Sequence, residues 1–439
     1  MSKHTNPRRR PLVGATLMLL SLPLAAETLP GVVEQLLTDS HRAAAARYDA
    51  AMSEAKVTES VRRAWTPNID ITAESGQQRY DKEGQENKIT SQNYDRFTLR
   101  VTQKLADFGR SAAEIAEARS VAAQSATVAD STTEGVLLDA LSAHWSVVRS
   151  RKALRYAEES EAKVRNQTAL ESSMVELGRG YESNVLQSKV QLATAEARRN
   201  RAEGALQIAN ARIEAVFGNL AGSVDYNQVA QPKAGLIPAS LAAAKELALQ
   251  HNRQIQVGVH RSSAIQQRIA RVNSQAFRPN LQLVGEYGLR HDIDGQEDRI
   301  DDRKVMLQLQ YAFNTGMAGS YAVTAAKQEF NASTQREQET RAQVLEQVTI
   351  AWRNLAVARN NRNVLRNQVN IASNYLDMAT AERQNGRRSL LDVLSAEMSL
   401  INAQSDLATT EADEAIAALT LLQAIGMLNL ENISFVDAR

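Results

Sequence analysis

Two kinds of periodicity alternate along this chain. Ile69, Ile71 and Ala73 alternate with Asn68, Asp70, Thr72 and Glu74, and Phe97, Leu99 and Val101 alternate with Arg96, Thr98, Arg100 and Thr102. The same period of two returns where Leu281, Leu283, Gly285, Tyr287 and Leu289 alternate with Gln282, Glu286, Gly288 and Arg290. It returns again where Val305, Leu307, Leu309 and Tyr311 alternate with Lys304, Gln308 and Gln310. Successive side chains of a strand point to opposite faces, so each run predicts a strand with one apolar and one polar face. The polar loops Asp81–Asn93 and Asp292–Asp302 join them into two hairpins, at 67–103 and 279–313.

The rest of the chain follows helical spacing. A helix precedes each hairpin and runs to about Ala64 or Ala276, where Pro67 and Pro279 disfavour its continuation. After the hairpins, Ser111–Leu177 and Ser320–Asn385 run for 67 and 66 residues without proline. At 1.5 Å per residue each such helix spans about 100 Å, too long for a compact domain. Asp107 and Asn314 are placed to cap them. Leu138, Leu141, Trp145 and Val148, spaced 3, 4 and 3, form a coiled-coil packing seam. Gly178 and Gly386 end the long helices, and new helices begin at about Ser183 and Ser389.

The plan occurs twice. Trp65-Thr66-Pro67-Asn68-Ile69 returns as Phe277-Arg278-Pro279-Asn280-Leu281, 212 residues later. The Trp145 seam returns around Trp352, offset by 207, and Gly178 with Val185-Leu186 returns as Gly386 with Val393-Leu394, offset by 208. Three anchors in one order at nearly one offset indicate an internal duplication. The expected division is a first repeat at 27–217, a linker at 218–239, a second repeat at 240–427 and a C-terminal tail at 428–439.

The N-terminus reads as an address. Lys3, Arg8, Arg9 and Arg10 precede an apolar stretch from Leu12 to Leu24 that ends in Ala25-Ala26. This predicts a secretory signal peptide over 1–26. An exported chain with strands near the roughly 9–11 residues of a tilted membrane strand points to a β-barrel in an outer membrane. Tyr80, Tyr94, Phe97, Tyr287, Tyr311 and Phe313 stand where interfacial aromatic girdles would form. Four strands cannot close a barrel, and a bilayer tolerates no open sheet edge, so several chains must share one.

Composition narrows the chemistry. Lys and Arg total 51 against 50 Asp and Glu, which argues against a nucleic-acid partner. With no cysteine, a disulfide frame, a thiolate metal site and a lipid anchor on an N-terminal cysteine are excluded. The six histidines are scattered and none belongs to a His-Glu-x-x-His pattern; there is no Gly-x-Ser-x-Gly and no phosphate-binding Gly-Lys-Ser/Thr loop. No catalytic, metal or cofactor site is expected. His144, beside Trp145, is read as a helix-packing or surface residue.

The duplicated halves, Lys104-Leu105-Ala106-Asp107-Phe108-Gly109-Arg110 after the first hairpin, and above all Gly386-Arg387-Arg388-Ser389-Leu390-Leu391-Asp392-Val393-Leu394 resemble the TolC-type outer-membrane efflux and secretion proteins. Gly178-Arg179-Gly180-Tyr181-Glu182-Ser183-Asn184-Val185-Leu186 is a looser match to that family's first helix tip. The resemblance implies an α+β membrane protein: a homotrimer with a 12-stranded barrel continued by a long periplasmic α-helical barrel. It implies a passive exit duct in outer-membrane lipid, working with a periplasmic adaptor and an inner-membrane ABC transporter or proton-driven pump. The tip is most similar to the branch serving type I secretion of adhesins; drug or metal efflux is the alternative cargo, and a soluble periplasmic coiled-coil adaptor the alternative class. The resemblance further implies adaptor docking at Gly178, Gly180, Gly386, Arg387, Ser389 and Leu390. It implies a gate at Asp392, with Arg388 reaching toward Asn184 and Ser395 standing where a second family aspartate would be. Ser389 and Asp392 also have the spacing of a capping box.

Overall fold

A computed structural model describes residues 28–80, 90–292, 298–312 and 315–437. The expected signal peptide, the centres of both hairpin loops, Phe313 and Asn314 lie outside these residues. In chain order the elements are α1 (Leu29–Asp39), α2 (His41–Trp65), β1 (Asn68–Tyr80), β2 (Thr90–Ala106), α3 (Arg110–Glu176) and α4 (Glu182–Phe217). There follow β3 (Gln228–Pro232), α5 (Leu241–His251), α6 (Arg253–Phe277), β4 (Asn280–His291), β5 (Arg299–Gln310), α7 (Ala318–Gln384), α8 (Leu390–Ala424) and β6 (Ile433–Asp437).

Several expectations are revised. Each single helix expected before a hairpin is two helices. Ser40 accepts the Ala43 N–H and Asn252 accepts those of Gln254 and Ile255, so each break is a capped restart. Asn252 also donates to the Ala424 carbonyl at 2.8 Å, which fixes the second break against α8. Residue Gly109, with φ +102°, is the N-cap of α3; Asp107 serves the next turn by accepting the Ser111 N–H at 2.9 Å. Strand β2 begins at Thr90 and β5 at Arg299, so both strands extend into stretches expected to be loop. The expected linker and tail are not structureless, since β3 and β6 pair antiparallel, Ala230 opposite Phe435.

The two hairpins join in one antiparallel sheet of order β1-β2-β4-β5. The register sets Ile69, Val101, Gly285 and Val305 in one row, and Ile71, Leu99, Tyr287 and Arg303 in the next, the Arg303 guanidinium lying 5.5 Å from the Tyr287 ring centre. The same face carries Leu281 opposite Leu309 and Leu283 opposite Leu307. Within the single chain this face is bare: Ile71 is 66% and Val305 81% exposed. The opposite face holds a row of alternating charge, Asp70, Arg100, Glu286 and Lys304. There Arg100 pairs with Glu286 at 2.9 Å, Arg96 with Glu74 at 3.3 Å and Arg290 with Asp302 at 3.0 Å. The outer edges of β1 and β5 are unpaired in the sheet order.

The long helices α3 and α7 carry the architecture. Toward the sheet, α3 packs on α2 and α6, and α6 on α7; away from the sheet, α3 packs on α4 and α8, and α7 on α8. Small residues let these helices approach closely: Ser53 meets Ser125 at 2.9 Å, Ser120 meets Ser263 at 3.1 Å and Ser262 meets Ser333 at 3.0 Å. Arg268 and Arg271 both hold Glu117 at 2.8 Å, tying α6 to α3. Among the described residues no helix is long and apolar enough to cross a membrane.

The main core lies midway along α3 and α7, where α1, α5 and the β3–β6 pair wrap them. Leu141, Val348, Leu355 and Leu419 are buried there, and Trp145 Nε1 donates to the Ala230 carbonyl at 2.9 Å. Both Trp145 and its neighbour His144 are thus packing residues. The His144 ring is fully buried and stacked on Tyr226 at 5.6 Å, with the Arg151 guanidinium 3.9 Å from the Tyr226 ring centre. Because the Asp225 carbonyl can only accept, Nε2 carries the proton across their 3.2 Å contact, and Nδ1 has no partner among the described residues.

Burial pushes His144 down to about 4, since a buried imidazolium loses hydration. An unfolded histidine titrates near 6.5. The core's preference for neutral His144 is therefore fully present above pH 6.5 and fades as pH falls from 6.5 toward 4. The shift is worth on the order of 3 kcal/mol. Thermal unfolding across pH 4–7.5 should show this loss, and His144→Phe should flatten that component; an unchanged profile would contradict it.

The sheet makes its own prediction. Leu99→Asp or Leu283→Asp should impair outer-membrane assembly, because a charge on a lipid face costs up to a few kcal/mol near the midplane. Thr98→Asp and Gln282→Asp lie on the charged face and should assemble. Heat-resistant oligomer on gels reads the difference, and equal behaviour of the two sets would overturn the facing.

Candidate functional site: the helix tips

The far ends of the helical hairpins are built alike. In the first, the Gly178 N–H donates to the Val175 carbonyl at 2.9 Å and the Arg179 N–H to Met174 at 2.9 Å. In the second, Gly386 donates to Arg383 at 2.8 Å and Arg387 to Glu382 at 2.9 Å. Both are Schellman motifs, which need a left-handed residue, and Gly178 (φ +73°) and Gly386 (φ +71°) supply it. Gly180 is tight for space instead: a Cβ there would lie 3.1 Å from the Val175 backbone nitrogen, so a side chain needs the turn to shift by a few tenths of an ångström.

The second tip carries three of the four expected gate residues, Arg388 in the turn and Asp392 and Ser395 in the first two turns of α8. Ser389 caps α8, accepting the Asp392 N–H at 3.2 Å and donating to Asp392 Oδ2 at 2.8 Å. Ser389 is therefore the N-cap, while the Asp392 carboxylate meets the Ser389 hydroxyl and is exposed, as are Arg387 and Ser395. Arg388 does not meet Asn184 within the chain. Its guanidinium is held by Glu382 at 2.7 Å and the Tyr375 hydroxyl at 2.9 Å, both in its own hairpin. Asn184 is half-buried in the first turn of α4, its N–H donating to the Tyr181 carbonyl at 3.0 Å.

Leu390 is placed differently from the expected docking set. It is 4% exposed, packed in a small core with Val164 and Leu394, so its side chain joins the two hairpins and offers no surface to a partner. The apolar groups the tips do present are Leu177, Tyr181 and Leu391, with Leu177 and Tyr181 each more than 70% exposed.

The tie between the hairpins is one that local sequence pattern does not reveal. Buried Glu171 of α3 is paired with Arg383 of α7 and accepts from Gln167 Nε2 at 3.2 Å. Farther from the tips, Lys163 reaches nearly buried Glu397 at 3.1 Å, and Arg198 donates to Asn402 at 3.0 Å. Arg383 lies one residue, and Glu171 five, before its helix end; Arg198 lies 16 residues into α4, and Asn402 12 into α8. Both contacts place the second tip about four residues, or ~6 Å, nearer the sheet. Arg383 and Glu171 are 212 positions apart, so only the fold brings them together.

Known proteins share this fold. The pattern of the family described as "Outer membrane efflux protein" matches residues 34–219 and 245–427. The chain belongs to that family. It is similar to the outer membrane protein TolC of Vibrio cholerae, 24% identical over 437 residues and 97% of each chain. Among solved structures it resembles the V. cholerae outer membrane protein VceC, with TM-score 0.74, 19% identity and coverage of 91% of this chain and 96% of that one. It also resembles the Campylobacter jejuni CmeC outer membrane channel, with TM-score 0.77, 15% identity and coverage of 91% and 86%. The long helices on a four-stranded sheet are thus the fold of TolC-type channel proteins, a transport family rather than an enzyme family.

Removing Arg383 leaves buried Glu171 short of its cation. Breaking a buried pair this way typically costs about 3–5 kcal/mol. Arg383→Met should therefore loosen the tips, seen as faster amide exchange over residues 165–180, while Arg42→Met, at an exposed pair, should not. Equal exchange in both would show that the pair carries no structural load.

Proposed function

We propose that this chain is the outer-membrane exit duct of a tripartite type I secretion system. Three copies supply four strands each to one 12-stranded barrel, and their helices continue it as a tunnel across the periplasm. The observation that carries this reading is the sheet: one bare apolar face, one charged face and two unpaired edges. A bilayer accepts the first only as a lipid-facing wall and the edges only when they are closed by neighbours. The duplicated element order and the family membership support the same assembly, with a cleaved signal peptide over 1–26 as the route of export.

The duct itself is passive. A periplasmic adaptor docks on the tips around Gly178–Tyr181 and Gly386–Leu391, and an inner-membrane ABC transporter supplies the energy. The likeness of Gly386–Leu394 to the adhesin-export branch favours a protein cargo over drugs or metals. The gate is at the second tip, where three Asp392 carboxylates approach one axis. Like charges gathered there attract cations and repel anions. Ser395 leaves this ring single, and Arg388, engaged by Glu382 and Tyr375, stiffens the turn that carries it.

Single-channel recording in planar bilayers tests the gate. Asp392→Asn should weaken cation selectivity and divalent-cation block; a variant that changes only thermal stability would reduce Asp392 to a cap. Cargo is read in cells lacking the chain: loss of secreted adhesin with unchanged drug and metal tolerance supports secretion, and the converse supports efflux. Recovery of the chain in the soluble periplasm would overturn the duct.

A further inference from the structure

The middle of the helical wall holds a basic hollow. On α7, Arg359, Arg362 and Arg366 are spaced three and four apart and so share one face. Like charges at that spacing repel, and this face turns toward α8. There Glu414 meets Arg362 at 2.7 Å and Arg359 at 3.4 Å. Glu411 meets Lys152 of α3 at 3.4 Å and lies 4.0 Å from Arg366. Four cations thus share two carboxylates. Arg366 reaches its carboxylate only at the limit of ion-pair range, with its side chain 60% exposed. The buried Arg362 Nε has no hydrogen-bond partner among the described residues.

These charges border a space. On α8 the following positions of the same face are Ala415 and Ala418, both buried, and their short side chains leave a hollow of about 360 Å³. Trp145, Pro232 and Ile237 wall it. Trp145 is held in place by its bond to the Ala230 carbonyl at 2.9 Å. A hollow of this size, with an apolar wall and a few convergent charges, has the character of a small-molecule site.

We infer that this hollow binds a small oxyanion carrying at least two negative charges, a phosphoryl compound or a polycarboxylate. Guanidinium forks match the paired oxygens of either group. Two negative charges balance the excess of cations, and the Arg362 Nε–H gains an acceptor. Lys152 belongs to one helical hairpin and the three arginines to the other, so the bound anion ties α3 to α7 across α8. The site needs only the single chain and stands apart from the proposed trimer.

Isothermal titration calorimetry of the purified full-length chain tests it, with inorganic pyrophosphate and citrate as separate probes at constant ionic strength. Saturable binding of at least one probe is expected, at one site per chain, and the tighter probe assigns the phosphoryl or the carboxylate class. Arg366→Gln leaves the Glu414 pairs in place and should weaken binding at least tenfold, the loss of about one charge-assisted bond. Arg362→Lys keeps the charge, removes the fork and should weaken binding too. Arg149→Gln removes a cation paired with Asp413 outside the hollow and should leave binding unchanged. Saturating probe should also raise the melting temperature of the unaltered chain, and at the same concentration should not raise that of Arg366→Gln. No binding of either probe, or equal binding in Arg366→Gln and Arg149→Gln, would overturn the site and leave the duct reading intact.

Discussion

An antiparallel sheet with one apolar face and two open edges is the constraint from which the rest of this molecule follows. The face cannot remain in water, and the edges cannot remain in lipid, where each unpaired N–H or C=O costs several kcal/mol. Lipid on one side and further copies at both edges satisfy the two demands together. The charged row Asp70–Arg100–Glu286–Lys304 stands on the opposite face, and in the proposed trimer it would line the water-filled interior.

The helices inherit the same problem in a different form. A 67-residue helix cannot bury itself, and α3 and α7 are covered in segments: by α2 and α6 toward the sheet, by α4 and α8 toward the tips, and by the main core midway. Stability is concentrated in that middle, where Leu141, Val348 and Leu419 are buried and His144 is kept neutral. The tips have only small cores around Leu390 and Leu376 and rely on polar ties such as Glu171–Arg383. A structure so weighted can rearrange its tips without unfolding its centre, which suits a gate.

How far the fold was legible follows from the range of each interaction. Strand alternation is local, because successive side chains point to opposite faces, so the facing of Leu99 and Leu283 is read directly, while their cross-strand partners are not. The glycines at 178 and 386 carry a local backbone demand and were equally plain. The β3–β6 pair was not, because Gln228–Pro232 is five residues long, contains proline and finds its partner at the far end of the chain. The breaks at Ser40 and Asn252 hid inside continuous helical spacing, although both are N-cap residue types. Leu390 sits within the family-like motif and was read as surface; the turn of α8 carries it inward onto Val164. The resemblance pairs Arg388 with Asn184; within one chain its guanidinium is held by Glu382 of its own hairpin at 2.7 Å.

Three copies closing one wall, as proposed, would be seen by imaging. Electron cryo-microscopy of the full chain in lipid nanodiscs should show a threefold particle. In it, β1 of each copy would pair with β5 of the next, with Ile71 and Val305 in the lipid belt. A sheet closed within one chain, or a particle whose apolar face packs on protein outside the bilayer, would contradict it.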